Sequence, residues 1–199
     1  RRSLTQGGAL PDTELKIDGL HGSANSFATA AFTLCQKRHV KLAHHRHAPI
    51  LMVKAVRLSI PIILTVREPE STVVSLTSRW PHISVEQGLK SYVGFYKALQ
   101  PYVDNFVVST FQLTTNHLDK VIEVTNKKFS TSFDLIDPER ANAECKEIYS
   151  NSSSDRLKRK KIKESKKKNL LEYKDSILLE SAQEIYTFYE KSAQAIIPY

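Results

Sequence analysis

The sequence predicts an α/β domain of three layers, αβα, around a mainly parallel central sheet. Three observations carry this. Short β-type runs alternate with helical periodicities along the chain, the signature of βαβ units with right-handed crossovers. The run Ile60–Val66 (Ile-Pro-Ile-Ile-Leu-Thr-Val) is β-branched and apolar throughout, as a strand buried on both faces must be. Polar clusters follow the first three predicted strands, at the strand ends where open α/β sheets bind ligands.

The elements follow in order. Residues 1–12 contain Gly7-Gly8 and Pro11, lack periodicity and read as a loose arm. Leu15–Leu20 alternates apolar and polar and predicts the first strand. Small and polar residues from His21 to Ser26 then lead into Phe27–Cys35, a helix with Asn25 or Ser26 as its N-cap. Val40–His45 predicts a second strand, closed by a histidine-rich turn and Pro49, with a short helix over Ile50–Leu58. Pro61 confines the third strand's start, and Glu70–Arg79 is helical.

Ser84–Tyr102 is the clearest long helix. Ser84 and Gln87 stand at capping-box spacing, and Leu89, Tyr92, Val93, Tyr96 and Leu99 recur on one face. Asn105–Ser109 predicts a fourth strand, and Asn116–Phe129 a helix with its own apolar stripe. The pattern over Asp134–Tyr149 is weaker. A basic segment spans 150–169, read as a loop, and Leu170–Ile196 predicts a terminal helical segment (170–197) that breaks in two.

The chain has 199 residues, 41% of them hydrophobic, enough for one compact domain with a real core. No apolar run reaches the length of a membrane span. Cys35 and Cys145 form neither a metal spacing nor a disulfide framework, which points to a reducing compartment, the cytoplasm. The opening Arg1-Arg2, without Met, leaves an upstream processed segment open. The formal net charge is +8. Arg156–Lys168 holds nine basic residues and one acid, Glu164, a surplus equal to the whole-chain excess. So local a charge argues against a general nucleic-acid coat and for an anionic partner at one place, or a solvated surface.

The three clusters have distinct chemistry. Gly22-Ser23-Ala24-Asn25-Ser26 turns into a helix and exposes backbone N–H groups to an anion. The signature GxxxxGK[ST] is absent, so ordinary ATP or GTP hydrolysis is not expected. His44-His45-Arg46-His47 offers imidazoles able to take a proton from a hydroxyl, while its spacing is poor for zinc and no metal is implied. Arg67-Glu68-Pro69, with Ser75 two turns on, offers a guanidinium fork and a hydroxyl suited to a phosphate monoester.

In this order the clusters resemble the PAPS-dependent sulfotransferase family, which has a P-loop-type nucleotide-binding fold. Ala24-Asn25-Ser26-Phe27-Ala28-Thr29 falls where that family has a 5′-phosphosulfate loop of the type Pro-Lys-Ser-Gly-Thr-Thr. Arg67, Pro69 and Ser75 match the spacing of its 3′-phosphate element, and His45-Arg46-His47-Ala48-Pro49 matches Lys-Thr-His-x-Pro. The resemblance implies sulfuryl transfer from PAPS to a hydroxyl or amine of a small-molecule or glycan acceptor, without a metal. It implies donor binding by Gly22–Thr29 (Gly22, Ser23, Ala24, Asn25, Ser26, Phe27, Ala28 and Thr29), Arg67 and Ser75, with His47 as base. The sequence departs from the family where Asn25 replaces the loop lysine, Phe27 the glycine and Ala28 the first threonine. Arg46, His21 or a lysine of the basic segment are candidates to replace the lost cation. The alternative is a non-catalytic anion- or nucleotide-binding module on the same fold, using the basic 156–168 segment.

Overall fold

A computed structural model describes residues 9–137, 139–141, 143–145 and 153–196, with the side chains of 153–159 and 196 undescribed. Four strands form one parallel sheet: β1 (Leu15–Gly19), β2 (Leu42–His44), β3 (Ile62–Val66) and β4 (Val107–Thr110), in the order β2-β1-β3-β4. Leu15 pairs with Leu42, Ile17 with Ile63, and Leu64 with Val108. Every residue of β3 is fully buried, as its unbroken apolar run requires.

The helices are α1 (Asn25–Cys35), α2 (Pro49–Arg57), α3 (Pro69–Arg79), α4 (Val85–Lys97), α5 (Phe111–Asn116), α6 (Leu118–Phe129), α7 (Ser153–Leu171) and α8 (Ile177–Ile196). Right-handed crossovers put α1 on one face of the sheet and α2, α3 and α4 on the other. Accordingly α1 packs with α5 and α6 covers β4, while α8 lies against β3, β4 and α4. One cluster of buried side chains runs from Ala9 to Ala193. No described helix is long and apolar enough to cross a membrane.

Several boundaries differ from the sequence expectation, each for a local reason. The predicted helix over Ser84–Tyr102 keeps its capping box, Gln87 N–H to Ser84 Oγ at 3.1 Å and Ser84 N–H to Gln87 Oε1 at 2.9 Å. It ends at Lys97, and Pro101 lies in a separate 3-10 turn over Gln100–Asn105. The predicted helix over Asn116–Phe129 begins at Leu118, because Asn116 ends a separate short helix, α5, which Thr110 caps and the sequence pattern did not predict. The basic segment, expected as a loop, is helical from Ser153 and packs along α3. The terminal segment breaks at 172–176, where Ser176 caps α8. Of the expected loose arm, residues 1–8 lie outside the described residues, while Ala9 is buried in the core.

The path of the chain creates one crevice. From β1 it turns toward β2, and from β3 toward β4, so the connections diverge between adjacent strands β1 and β3. The carboxyl ends of those strands flank the site.

Candidate functional site

The turn after β1 is built from the inside. Gly19 has no room for a side chain: a Cβ there would lie 2.2 Å from the Thr65 carbonyl oxygen. Gly22 adopts φ 95, a left-handed conformation that glycine takes without strain, and it presses on Ser75 of α3. Ala24, at φ 70, precedes α1 without a side-chain cap. Asn25 and Ser26 therefore do not cap the helix as expected. The Asn25 amide turns back into the protein instead and donates to the carbonyls of Gly19 (3.1 Å) and Leu20 (3.0 Å), while Thr65 Oγ1 donates to its oxygen. Asn25 is 4% exposed, so the residue in the loop-lysine position braces the turn.

Tyrosines of α4 tie the two strand ends together. The Tyr96 hydroxyl donates to the Thr65 carbonyl at 2.9 Å and accepts from the Leu20 N–H at 3.2 Å. The Tyr92 hydroxyl donates to the Arg67 carbonyl at 2.8 Å. Burial pushes both phenols up, so they remain protonated donors.

The crevice opens into a cleft of about 200 Å³ lined by His21, Gly22, Ala24, Asn25, Ser26, His45, His47, Arg67, Arg79 and Phe111. Arg67 stacks on Phe111, its guanidinium carbon 3.9 Å from the ring centroid, and donates from Nη1 to the Gly22 carbonyl at 3.2 Å. Its Nε is buried without a hydrogen-bond partner, and Glu68 Oε2 lies 3.7 Å away. A cation fixed on an aromatic face beside a helix N-terminus suits an anion.

Three imidazoles line the same cleft. His47 Nδ1 donates to the Gly19 carbonyl at 2.6 Å and lies 3.2 Å from Asp18 Oδ1. A carbonyl only accepts, so Nδ1 carries hydrogen and Nε2 is the nitrogen left to accept a proton. The His21 ring lies against His47 with centroids 3.5 Å apart, and edge-on to Trp80 at 4.6 Å. His45 Nε2 lies 3.0 Å from Ser26 Oγ, and its Nδ1 meets His44 Nδ1. Burial, then the charges of His47 and Arg79, push His21 down to about 4. Burial, then His44 and His47, push His45 down to about 4. Burial also lowers His44. Burial opposes ionisation of Asp18, yet the His47 hydrogen bond and Lys16 outweigh it and hold the carboxyl far below its usual range.

Of the residues expected from sequence, Gly22, Ala24, Asn25, Ser26, His47 and Arg67 line this one cleft. Ser23 is fully buried, bonding the Leu20 carbonyl at 2.6 Å. Phe27 packs against the core, and Ala28 and Thr29 are buried in α1, so none of these lines the cleft. Ser75 sits behind Gly22, outside the lining. Neither Arg46 nor any of residues 160–168 lines the cleft, whereas His21 does. Arg79, Phe111 and Asp18 are site residues that sequence reasoning missed. A signal for Asp18 was present: Lys16 and Asp18 are opposite charges at i and i+2 within a strand next to the most apolar one. Arg79 and Phe111 arrive from distant elements and leave no local trace. No group of histidine, cysteine and acidic side chains among the described residues could hold a metal ion.

No protein-family model matches the chain, and neither the curated proteins nor the solved structures contain a match to it.

Proposed function

We propose that this protein transfers a sulfuryl group from PAPS to a hydroxyl or amine acceptor. The observation that carries the reading is that Arg67, the N-terminal turn of α1 and His47 line one cleft. An arginine and a set of helix N–H groups grip two anionic ends of one nucleotide, and an oriented imidazole stands beside them. At about 200 Å³ the cleft takes the charged end of a nucleotide, with the adenosine reaching outward.

In this reading the acceptor hydroxyl gives its proton to His47 Nε2 while its oxygen bonds to sulfur. The bridging sulfur–oxygen bond breaks in line, and its electron pair leaves with the 5′-phosphate of adenosine 3′,5′-bisphosphate. The N–H groups at the α1 turn, Arg67 and Arg79 would stabilise the charge that develops on the leaving oxygens. Arg79, at the end of α3, lowers the proton affinity of His21 and His45 through its charge, which supports its reach over the cleft.

Thermal-shift titration with adenosine 3′,5′-bisphosphate tests the donor site. The wild type should melt higher as ligand is added, and Arg67→Ala should bind about 10- to 100-fold more weakly, the worth of a charge-assisted bond. His47→Ala should keep bisphosphate binding and lose transfer. A folded wild type whose melting point does not respond would overturn the reading.

One observation favours a second reading, a non-catalytic anion-binding module. Asn25 is spent inside the turn, so the loop offers no lysine to a transferring group. Exposed Lys160, Lys161, Lys167 and Lys168 on α7 would then dock a polyanion. Binding of that kind weakens steeply with salt.

A further inference from the structure

Lys16 and Asp18 lie two residues apart on β1, so their side chains leave the same face of the strand. Both are wholly buried, and Lys16 Nζ is 3.0 Å from Asp18 Oδ2. Taking two charges out of water costs several kcal/mol each, and apolar residues would pack a parallel strand at least as well. A pair kept at such cost is set against what else the carboxylate holds. Asp18 accepts the backbone N–H of Gly19 at 3.1 Å, of Arg46 at 3.1 Å and of His47 at 3.3 Å. Two of those donors belong to the loop between β2 and α2. In that loop His45 and His47 stand at φ 56 and φ 48, in a region that non-glycine residues avoid. The loop therefore has a strained backbone and an acidic anchor directly beneath it.

We propose that the Lys16–Asp18 pair is a clamp that positions His47. Asp18 holds the backbone of Arg46 and His47 against β1, so that the imidazole meets the Gly19 carbonyl and keeps its hydrogen on Nδ1. Nε2 is thereby the ring nitrogen left without a hydrogen. Lys16 is the counter-charge that keeps the clamp ionised. The use made of the bare Nε2 rests on the sulfuryl-transfer reading; the positioning of the ring does not.

Imidazole nitrogen-15 spectra, recorded at a pH well above the ordinary imidazole range, read this directly. The wild type should show His47 as one tautomer, protonated on Nδ1 and bare on Nε2. The variant Lys16→Met/Asp18→Asn removes both charges together and leaves neither stranded. It should fold and show His47 as a mixture of tautomers. A folded double variant that keeps the single Nδ1–H tautomer overturns the clamp. So does a wild-type His47 protonated on Nε2 or averaged between the two forms, and that spectrum decides the matter should the double variant fail to fold. A wild type with the expected tautomer that does not bind the bisphosphate removes the sulfuryl-transfer reading and leaves the clamp standing.

Discussion

Asn25 shows how one residue can be read correctly as a departure yet be assigned the wrong environment. In the sequence it is the position where a phosphosulfate loop would carry lysine. In the structure its amide satisfies two carbonyls of the turn and accepts from Thr65. Asn25→Ala leaves those buried groups unpaired and should lower stability by about 2–3 kcal/mol, read as a fall in the urea midpoint with an unchanged slope. A variant as stable as the wild type would show that the brace is dispensable. Arg67 and His47 were legible because proline, strand end and spacing mark them locally. Arg79 and Phe111 were not, because nothing near them in sequence encodes a meeting across the top of the sheet. Asp18 was half-legible. Alternation in β1 revealed its side of the strand but not that this side is buried.

At the scale of elements, the strands and the capped helix α4 followed from patterns that local physics enforces. The basic segment did not. Its charge predicts contact with water, which a loop and a helix satisfy equally well. What settles it is tertiary: buried Leu170, and Lys166 Nζ donating to the carbonyls of Pro81 (3.0 Å) and Ile83 (2.8 Å). Thus α7 is pinned to the turn between α3 and α4, and Lys160, Lys161, Lys167 and Lys168 are exposed. Replacing Lys160, Lys161 and Lys168 by glutamine should change stability by no more than about 0.5 kcal/mol each, and bisphosphate affinity should not change at fixed salt. Calorimetric titration checks both parts. A large loss of affinity would make α7 a wall of the donor site.

Across the whole molecule, stability should depend on pH through two half-buried histidines. Burial brings His21 and His45 down to about 4 from an ordinary 6.5. Between those values the unfolded chain binds protons that the folded one refuses. Stability is therefore full above about 6.5, falls as pH drops through the window and levels off near 4. Asp18 is shifted in the same direction, so its contribution too is lost as pH falls. Its contribution is present above the usual carboxylate range and is lost only toward its depressed value, below this window. Urea midpoints should fall between about pH 7.5 and about pH 5, and His21→Gln/His45→Gln should flatten the difference. Equal midpoints would place both rings in water.

The order β2-β1-β3-β4 brings the first and third strand ends together, and with them the two anion-gripping groups. Backbone amide spectra recorded during titration with adenosine 3′,5′-bisphosphate test that convergence most directly. Shifts concentrated at Gly22–Ser26, Arg67 and His47 are the predicted result. Shifts confined to α7, or none with the protein folded, would contradict it.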